Sequence, residues 1–394
     1  MPSLSNSNSV ALATPPYAGC RLVLHTELAP VRSRWLATLA AGAGSVFQTW
    51  EWNATWYETI GQRHGVLPRI IELRDPADQT RVLWPLGIYR RGRLRVLDFL
   101  GDVVTDYRAP ILTPGFPGHD DPAAFEVLWR QVLKLAGRAD AVDLRRMPAL
   151  LDELANPMVG LRRARHTENA YSLRLPASVE QLHAQQSTKR LADNRRSLRR
   201  LADHGAVRIE PDHTDAGRDA VTQTMAEQKS RRWRETGSRD WFAEPGYLDF
   251  YRTLEFTETP GAQVNVASLA VGDACVATHW GLIFRGRHYW ILPTYAEGPW
   301  TRYSCGRLLM QAMVEWDIAQ GRTVFDLTVG DEAYKKDWVS EPSLLYRWRA
   351  ALSVRGSLWL AGQHLREWAR DQAWLRGAVR RLRGGRLKAP AAKY

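Results

Sequence analysis

Cysteine is scarce. The three residues, Cys20, Cys275 and Cys305, are odd in number and far apart, which excludes a disulfide framework. No cysteine pair has metal-ligand spacing, and the ten histidines are scattered without an H-E-x-x-H arrangement. A reducing cytoplasm and no structural metal is the expectation. No run of about 18 apolar residues exists, so no membrane-spanning helix is expected. The Ser/Asn-rich start, Met1 to Val10, lacks the basic cluster and apolar core of a signal peptide; residues 1–19 read as an unstructured N-terminus. No short period marks a solenoid, and no motif with interleaved aromatics marks a dedicated nucleic-acid reader.

What remains is ordinary globular material: 394 residues, 45% apolar and 24% charged, with 54 basic against 42 acidic side chains for a net +12. At roughly 150 residues per domain the chain should hold two or three domains. The positive excess is uneven. Residues 355–394 carry ten Lys/Arg against Glu367 and Asp371, and a second basic island runs from Ser187 to Leu201. Attraction to anionic partners should act through these two elements and not through the whole surface.

Elements follow from pattern. Val46 to Tyr57, with aromatics at 47, 50, 52, 56 and 57, predicts a deeply packed helix. Strand-like runs at 69–73, 81–89 and 94–100 are joined by turns containing Asp75-Pro76 and Gly92, which predicts a meander. A helix over 122–135 and a strand over 143–147 follow. In the second half a basic helix covers 187–203, then a strand 207–210 and a helix around 219–229. Strands 263–271, 275–284 and 288–295 are separated by Gly272-Asp273 and Arg285-Gly286-Arg287, strong hairpin signals. A helix over 304–320 closes at Gly321, and a strand follows at 323–328. The division is expected at 155–170, giving domains 20–165 and 166–354 and a tail 355–394, each domain an α+β unit.

Arg302, Ser304, Cys305, Gly306 and Arg307 cluster where the strand at 288–295 feeds the helix at 304–320. A glycine at a helix mouth lets a ligand approach backbone N–H groups, and the helix N-terminus favours negative charge. The segment therefore reads either as a phosphate or diphosphate cradle, or as a plain connection with Ser304 as N-cap.

The run from Tyr295 to Leu309, the segment Gly321-Arg-Thr-Val-Phe-Asp326 and the run Gly330-Asp-Glu-Ala-Tyr-Lys-Lys-Asp-Trp338 resemble the GNAT-superfamily acyltransferases of the CelD type, associated with cellulose and exopolysaccharide synthesis. Phe47-Gln-Thr-Trp50 and the basic helix extend the likeness over about 45–350. Cys305 stands where that family usually has proline, and Thr328-Val329 departs from its usual pattern before Gly330. The resemblance implies two tandem GNAT-like domains, each a mixed, mostly antiparallel sheet flanked by helices, with a basic amphipathic helix at the C-terminus. It implies acetyl-CoA or another acyl-CoA as co-substrate, no metal, and direct acyl transfer from the second domain. The pantetheine arm would enter between parted strands, for which 275–284 and 288–295 are the candidates, with the diphosphate on the amides of 304–307.

Several residues carry two readings. Lys335 matches the family motif as a ligand for phosphate or an acceptor carboxylate, against a solvated lysine beside Lys336. Tyr334 would protonate the leaving thiolate, or pack at a strand edge. Asp326 is a base or acceptor ligand, or the structural partner of an arginine. His279 would serve as general base near neutral pH, or is a satisfied core histidine. Cys275 and Cys305 lack an activating partner and read as spectators. On the basic helix, Arg195/Arg199 and Arg196/Arg200 place like charges at i,i+4, which is unfavourable unless an anionic ligand such as a CoA phosphate, a nucleotide- or lipid-linked sugar, or RNA offsets it; a solvated face is the alternative.

In the tail, Leu358, Ala361, Leu365, Trp368, Gln372, Leu375, Val379 and Leu382 follow helical spacing, with arginines elsewhere. This helix would meet an anionic membrane surface or a polysaccharide-synthesis complex, or pack on the protein. The leading expectation is thus a cytoplasmic acyltransferase, peripheral to the inner face of the membrane, acting on a sugar, amino sugar or envelope precursor. The alternatives are a Fem-like transferase drawing its aminoacyl group from tRNA, and a non-catalytic accessory protein.

Overall fold

The computed structural model describes residues 8–339 and 341–371. Two compact units emerge, Met1–Asn169 with Ser343–Tyr394, and Ala170–Pro342. In the first, β1 (Asn8–Ala11) and β2 (Arg21–His25) precede α1 (Arg32–Ala41) and α2 (Trp50–Trp56). Then come β3 (Leu67–Arg74), β4 (Thr80–Arg91), β5 (Leu94–Phe99), β6 (Ile111–Leu112), α3 (Pro122–Ala136) and β7 (Ala141–Pro148), and a small hairpin of β8 (Leu150–Leu151) and β9 (Leu154–Ala155). Strand order is β1-β2-β3-β4-β5-β7, with β6 on β4. Thr49 caps α2 by accepting from the Trp52 amide, and Trp52 and Trp56 are fully buried beneath it, as the aromatic density of the segment predicts. Each such side chain contributes roughly 1.5–3 kcal/mol or more of burial.

The second unit comprises β10 (Arg165–Arg174) from Ala170 on, α4 (Val179–Gln185), α5 (Thr188–Ala202), β11 (Val207–Glu210), α6 (Asp215–Thr236) and α7 (Tyr247–Thr253). It continues with β12 (Gln263–Val271), β13 (Ala274–Phe284), β14 (Arg287–Tyr295), α8 (Cys305–Ala319), β15 (Val324–Val329) and α9 (Ala333–Lys336). Strand order is β10-β15-β14-β13-β12-β11. One face of α8 buries Leu308, Leu309, Met310, Met313 and Val314 against Ala267, Leu269, Trp290 and Phe325 of the sheet.

The units share a plan. In each, a three-stranded antiparallel meander (β3-β4-β5, β12-β13-β14) is followed by a helix (α3, α8). The strand after that helix pairs parallel with the last meander strand, β7 with β5 and β15 with β14. Both are α+β units with a mixed, mostly antiparallel sheet, in tandem.

Three expectations need correction. Residues 8–11, read as part of an unstructured N-terminus, form strand β1 paired antiparallel with β2, and Tyr17 behind it is buried. Residues 343–351 form β16 (Ser343–Ala351), which pairs antiparallel with β7 and so returns the chain to the first unit. The tail helix α10 (Val354–Asp371) belongs to that unit as well. Positions Gln372, Leu375, Val379 and Leu382 of the expected stripe lie outside the described residues. No described helix is long and apolar enough to cross a membrane.

Candidate functional site

A notch opens in the second sheet, though not between the strands named from sequence. β13 and β14 stay paired along their length from Ala277–Tyr295 to Phe284–Arg287. The parting lies between β14 and β15, which pair only at Arg287–Val324, His288–Phe325 and Tyr289–Asp326. Past Tyr289, β14 follows β13 while β15 follows β10.

The cause is local. The β13–β14 register shifts between Trp280 and Leu282, where Gly281 faces a β-bulge in β14. A Cβ on Gly281 would collide with the Tyr289 carbonyl oxygen and the His279 ring, so only glycine fits this bend. At the closed apex, Arg287 Nη1 donates to Asp326 Oδ2 at 2.8 Å, and the Thr328 amide donates to Asp326 Oδ1 at 2.8 Å. Asp326 is 1% exposed. Its structural reading is the one realised, and the base reading fails for want of access.

At the open end stands the start of α8. Ser304 has φ +55, in the left-handed region, and no side chain caps the helix. Ser304 thus occupies the N-cap position without capping through its side chain; its carbonyl accepts from the Arg307 amide at 2.9 Å and the Leu308 amide at 3.2 Å, while no side-chain oxygen accepts from the first-turn amides. Gly306 lies in that turn, and a Cβ there would meet only Tyr295 Cδ1, at an ordinary 3.7 Å. No neighbour and no positive φ demands glycine here, although glycine in a helix is unfavourable by roughly 0.5–1 kcal/mol relative to alanine. The equivalent helix of the first unit, α3, is sealed: Pro122 occupies its first turn and the Asp121 carboxylate accepts from the amides of Ala123 and Ala124. One start is blocked by a carboxylate. The other is bare.

Arg302 is exposed and lies over the Tyr303 ring at 4.9 Å. Cys305 is buried, and burial pushes its thiol up to about 11; the same cause brings Cys275 to about 11, so neither is a nucleophile near neutral pH. Arg307 lines a hollow of about 610 Å³ with Gln186, Lys189, Arg190 and Trp338. There the Arg190 guanidinium stacks on Trp338 at 4.0 Å and donates to the Asp337 carbonyl at 3.2 Å. Buried Arg307 Nε, Trp338 Nε1 and both amide atoms of Gln186 have no protein partner. Such orphaned polar atoms are unusual unless a ligand or water completes them. Sequence reasoning did not single out Gln186, Arg190 or Trp338 as a group, because Gln186 is extended between α4 and α5 and Trp338 reaches the hollow from beyond α9.

Arg195 and Arg199 are exposed on the outer side of α5 and do not join this hollow. Lys335 departs from both of its readings. Its side chain is 0% exposed, and Nζ donates to the Val329 carbonyl at 2.8 Å and the Thr328 carbonyl at 3.4 Å while pairing with Glu332 Oε2 at 2.9 Å. With those three donors engaged, the ammonium is not a phosphate ligand; it clasps the turn after β15 to the end of that strand. Tyr334 sits half-buried on α9 and not at a strand edge. Beside it, Tyr171 Oη donates to exposed Asp331 Oδ1 at 3.0 Å, a pair that sequence did not reveal.

His279 lies inside the core, 0% exposed, its ring stacked on Trp290 at 3.7 Å with neither nitrogen partnered. Burial, with His288 adding to it, holds the imidazole well below its ordinary value. A ring sealed from solvent cannot take a proton from an acceptor, so the general-base reading is withdrawn. Among the described residues no group of His, Cys, Asp or Glu is arranged to hold a metal ion.

With this geometry in hand, comparison with known proteins is informative. Residues 188–336 match the family model described as Acetyltransferase (GNAT) domain. No curated protein matches the chain. FemX is similar in structure, with a TM-score of 0.52 at 10% identity over 80% of this chain and 95% of that one. The C-terminal domain of an Agrobacterium fabrum protein assigned as a lysylphosphatidylglycerol synthetase gives a TM-score of 0.50 at 12% identity, covering 85% of this chain and 95% of that one. At such identities the likeness is one of fold. The matched residues, a little over a third of the chain, contain the whole notch and α8, so the part of the second unit that holds them is similar to a GNAT acetyltransferase domain.

Proposed function

We propose that the second unit binds an acyl-CoA in the notch between β14 and β15 and transfers the acyl group directly to an amine or hydroxyl of a sugar, amino sugar or related exopolysaccharide or envelope precursor. The observation that carries this reading is the contrast between two helices of the same topological position, α3 closed by Asp121 and α8 left open with Gly306 in its first turn. An anion fits the second and is repelled by the first.

When bound, the thioester supplies an activated acyl carbonyl. The chain's own residues do the rest. The first-turn amides of α8 and the cations Arg302 and Arg307 hold the diphosphate. The edge of β14 beyond Tyr289, unpaired toward β15, offers backbone groups to an extended arm. Asp331, at the open end, is our candidate to take the acceptor's proton as the C–S bond breaks and the C–N or C–O bond forms. Tyr334 remains the candidate to protonate the departing thiolate. The CelD-type resemblance supports the acceptor class.

One observation favours a second reading. Arg195, Arg196, Arg199 and Arg200 are all exposed on α5, and among the described residues Arg196 pairs with Asp193 at 3.3 Å. Such a face suits a polyanion, as an aminoacyl-tRNA-dependent transferase of the Fem type would need, and its binding would weaken steeply with salt.

Isothermal titration with acetyl-CoA, longer acyl-CoAs and deacylated tRNA separates the two. Acyl-CoA binding reduced at least tenfold in Gly306→Leu, with the melting temperature kept, is the expected result. Binding of tRNA alone, or acyl-CoA affinity unchanged in the variant, overturns the reading.

A further inference from the structure

Helix α10 is apolar on its outward side. Its inner face sits on the first unit: a Cβ on Gly356 would collide with the Asp140 carbonyl, and Ser353 bridges the Gly356 amide and the Asp140 carboxylate. Further along, Glu367 pairs with Arg349 at 2.8 Å and with Arg347 at 3.3 Å. The half-buried positions of the helix are mixed, Trp359 and Leu360 with Gln363 and Glu367, so they do not use up its apolar residues. Outward, Val354 is 78% exposed, Leu358 71%, Leu365 63% and Trp368 53%, with exposed Ala361 between them. The spacing 354, 358, 361, 365, 368 draws one stripe along the helix.

The surroundings say what covers it. Arg355 and Arg366 are exposed along one flank of the stripe. Just before the helix, Leu352 shares an apolar hollow of about 360 Å³ with Val127, Leu133, Arg130 and Lys134. Beyond Asp371 the sequence adds seven Lys/Arg and no Asp or Glu. A second copy of this chain would bring the same positive charge face to face with its own, which disfavours self-association. A bilayer of anionic lipid meets both requirements, apolar depth for the stripe and phosphates for its flanks.

We propose that α10 is a membrane-surface helix that docks the acyltransferase on anionic lipid, with Leu358, Leu365 and Trp368 sunk to the acyl boundary and Arg355 and Arg366 on the headgroups. The inference is independent of the acyl donor. The full chain and its Leu365→Glu/Trp368→Glu variant are floated with vesicles of phosphatidylglycerol and phosphatidylcholine, and with vesicles of phosphatidylcholine alone. Melting temperature serves as the folding control. The wild type should float with the anionic vesicles, lose that association at high salt, and bind at least tenfold less in the variant. Failure to float, equal flotation of the variant, or equal binding to neutral vesicles overturns the proposal. So does sedimentation showing a wild-type dimer that the variant abolishes, because the stripe would then be a self-association face.

Discussion

Replacing Lys335 by methionine separates its two roles cleanly, since methionine keeps most of the stem and removes the ammonium. In the structure that ammonium is fully enclosed and engages Val329 O, Thr328 O and Glu332 Oε2. Taking away one partner of a buried ion pair costs about 3–5 kcal/mol, because the other charge is left without compensation. For a unit of this size each kcal/mol moves the melting temperature by roughly 2–4 °C, so a fall of roughly 6–20 °C is expected for the second unit. Differential scanning calorimetry reads that fall, and titration with acyl-CoA well below both transitions reads the site. A clasp predicts a large thermal loss with affinity changed less than tenfold. A melting temperature unmoved while affinity collapses would refute the clasp and return Lys335 to the ligand.

His279→Phe keeps the stack on Trp290 and removes two unpartnered nitrogens, so stability should stay within about 1 kcal/mol and the pH–rate profile above pH 5 should be unchanged; loss of the acidic limb of that profile, the limb a general base produces, contradicts the burial argument. In the first unit, burial alone would raise the Glu72 carboxyl, but hydrogen bonds from His25, Arg74 and Thr80 outweigh it and hold the group at about 2. A carboxylate depressed on folding stabilises above its ordinary value of 4.5 and loses that contribution as pH falls toward 2. Acid unfolding followed by circular dichroism should therefore show Glu72→Gln less stable than wild type at pH 7, with the difference shrinking below pH 4; a constant difference would exclude this linkage.

Much of the fold was legible because local signals and long-range structure agree. The turns at Gly272-Asp273 and Arg285-Gly286-Arg287 bound the β12–β14 meander, and the apolar spacing of α3 and α8 predicts the faces they bury. The misses have a common origin in pairing across sequence distance. Arg347 and Arg349 make β16 look polar, yet Arg347 donates to buried Asp143 through Nε at 2.6 Å and Nη2 at 2.9 Å. The notch was placed one strand early because what decides it, the bulge opposite Gly281, leaves no mark beyond a single glycine in an apolar run. Lys335 looked solvated beside Lys336 because its acceptors come from a strand end bent by Thr328 at φ +58.

The path of the chain also constrains how the protein is made. β7 stays an open sheet edge until β16, more than 190 residues later, reaches it. Over that interval the Asp143 carboxylate lacks Arg347, while the second unit, contiguous in sequence, can already close. A chain halted between about residues 336 and 342 would hold every element of the second unit beside a first unit with its β7 edge exposed, a natural target for chaperones and proteases. The unit that carries the notch is thereby complete in sequence before the unit that begins first.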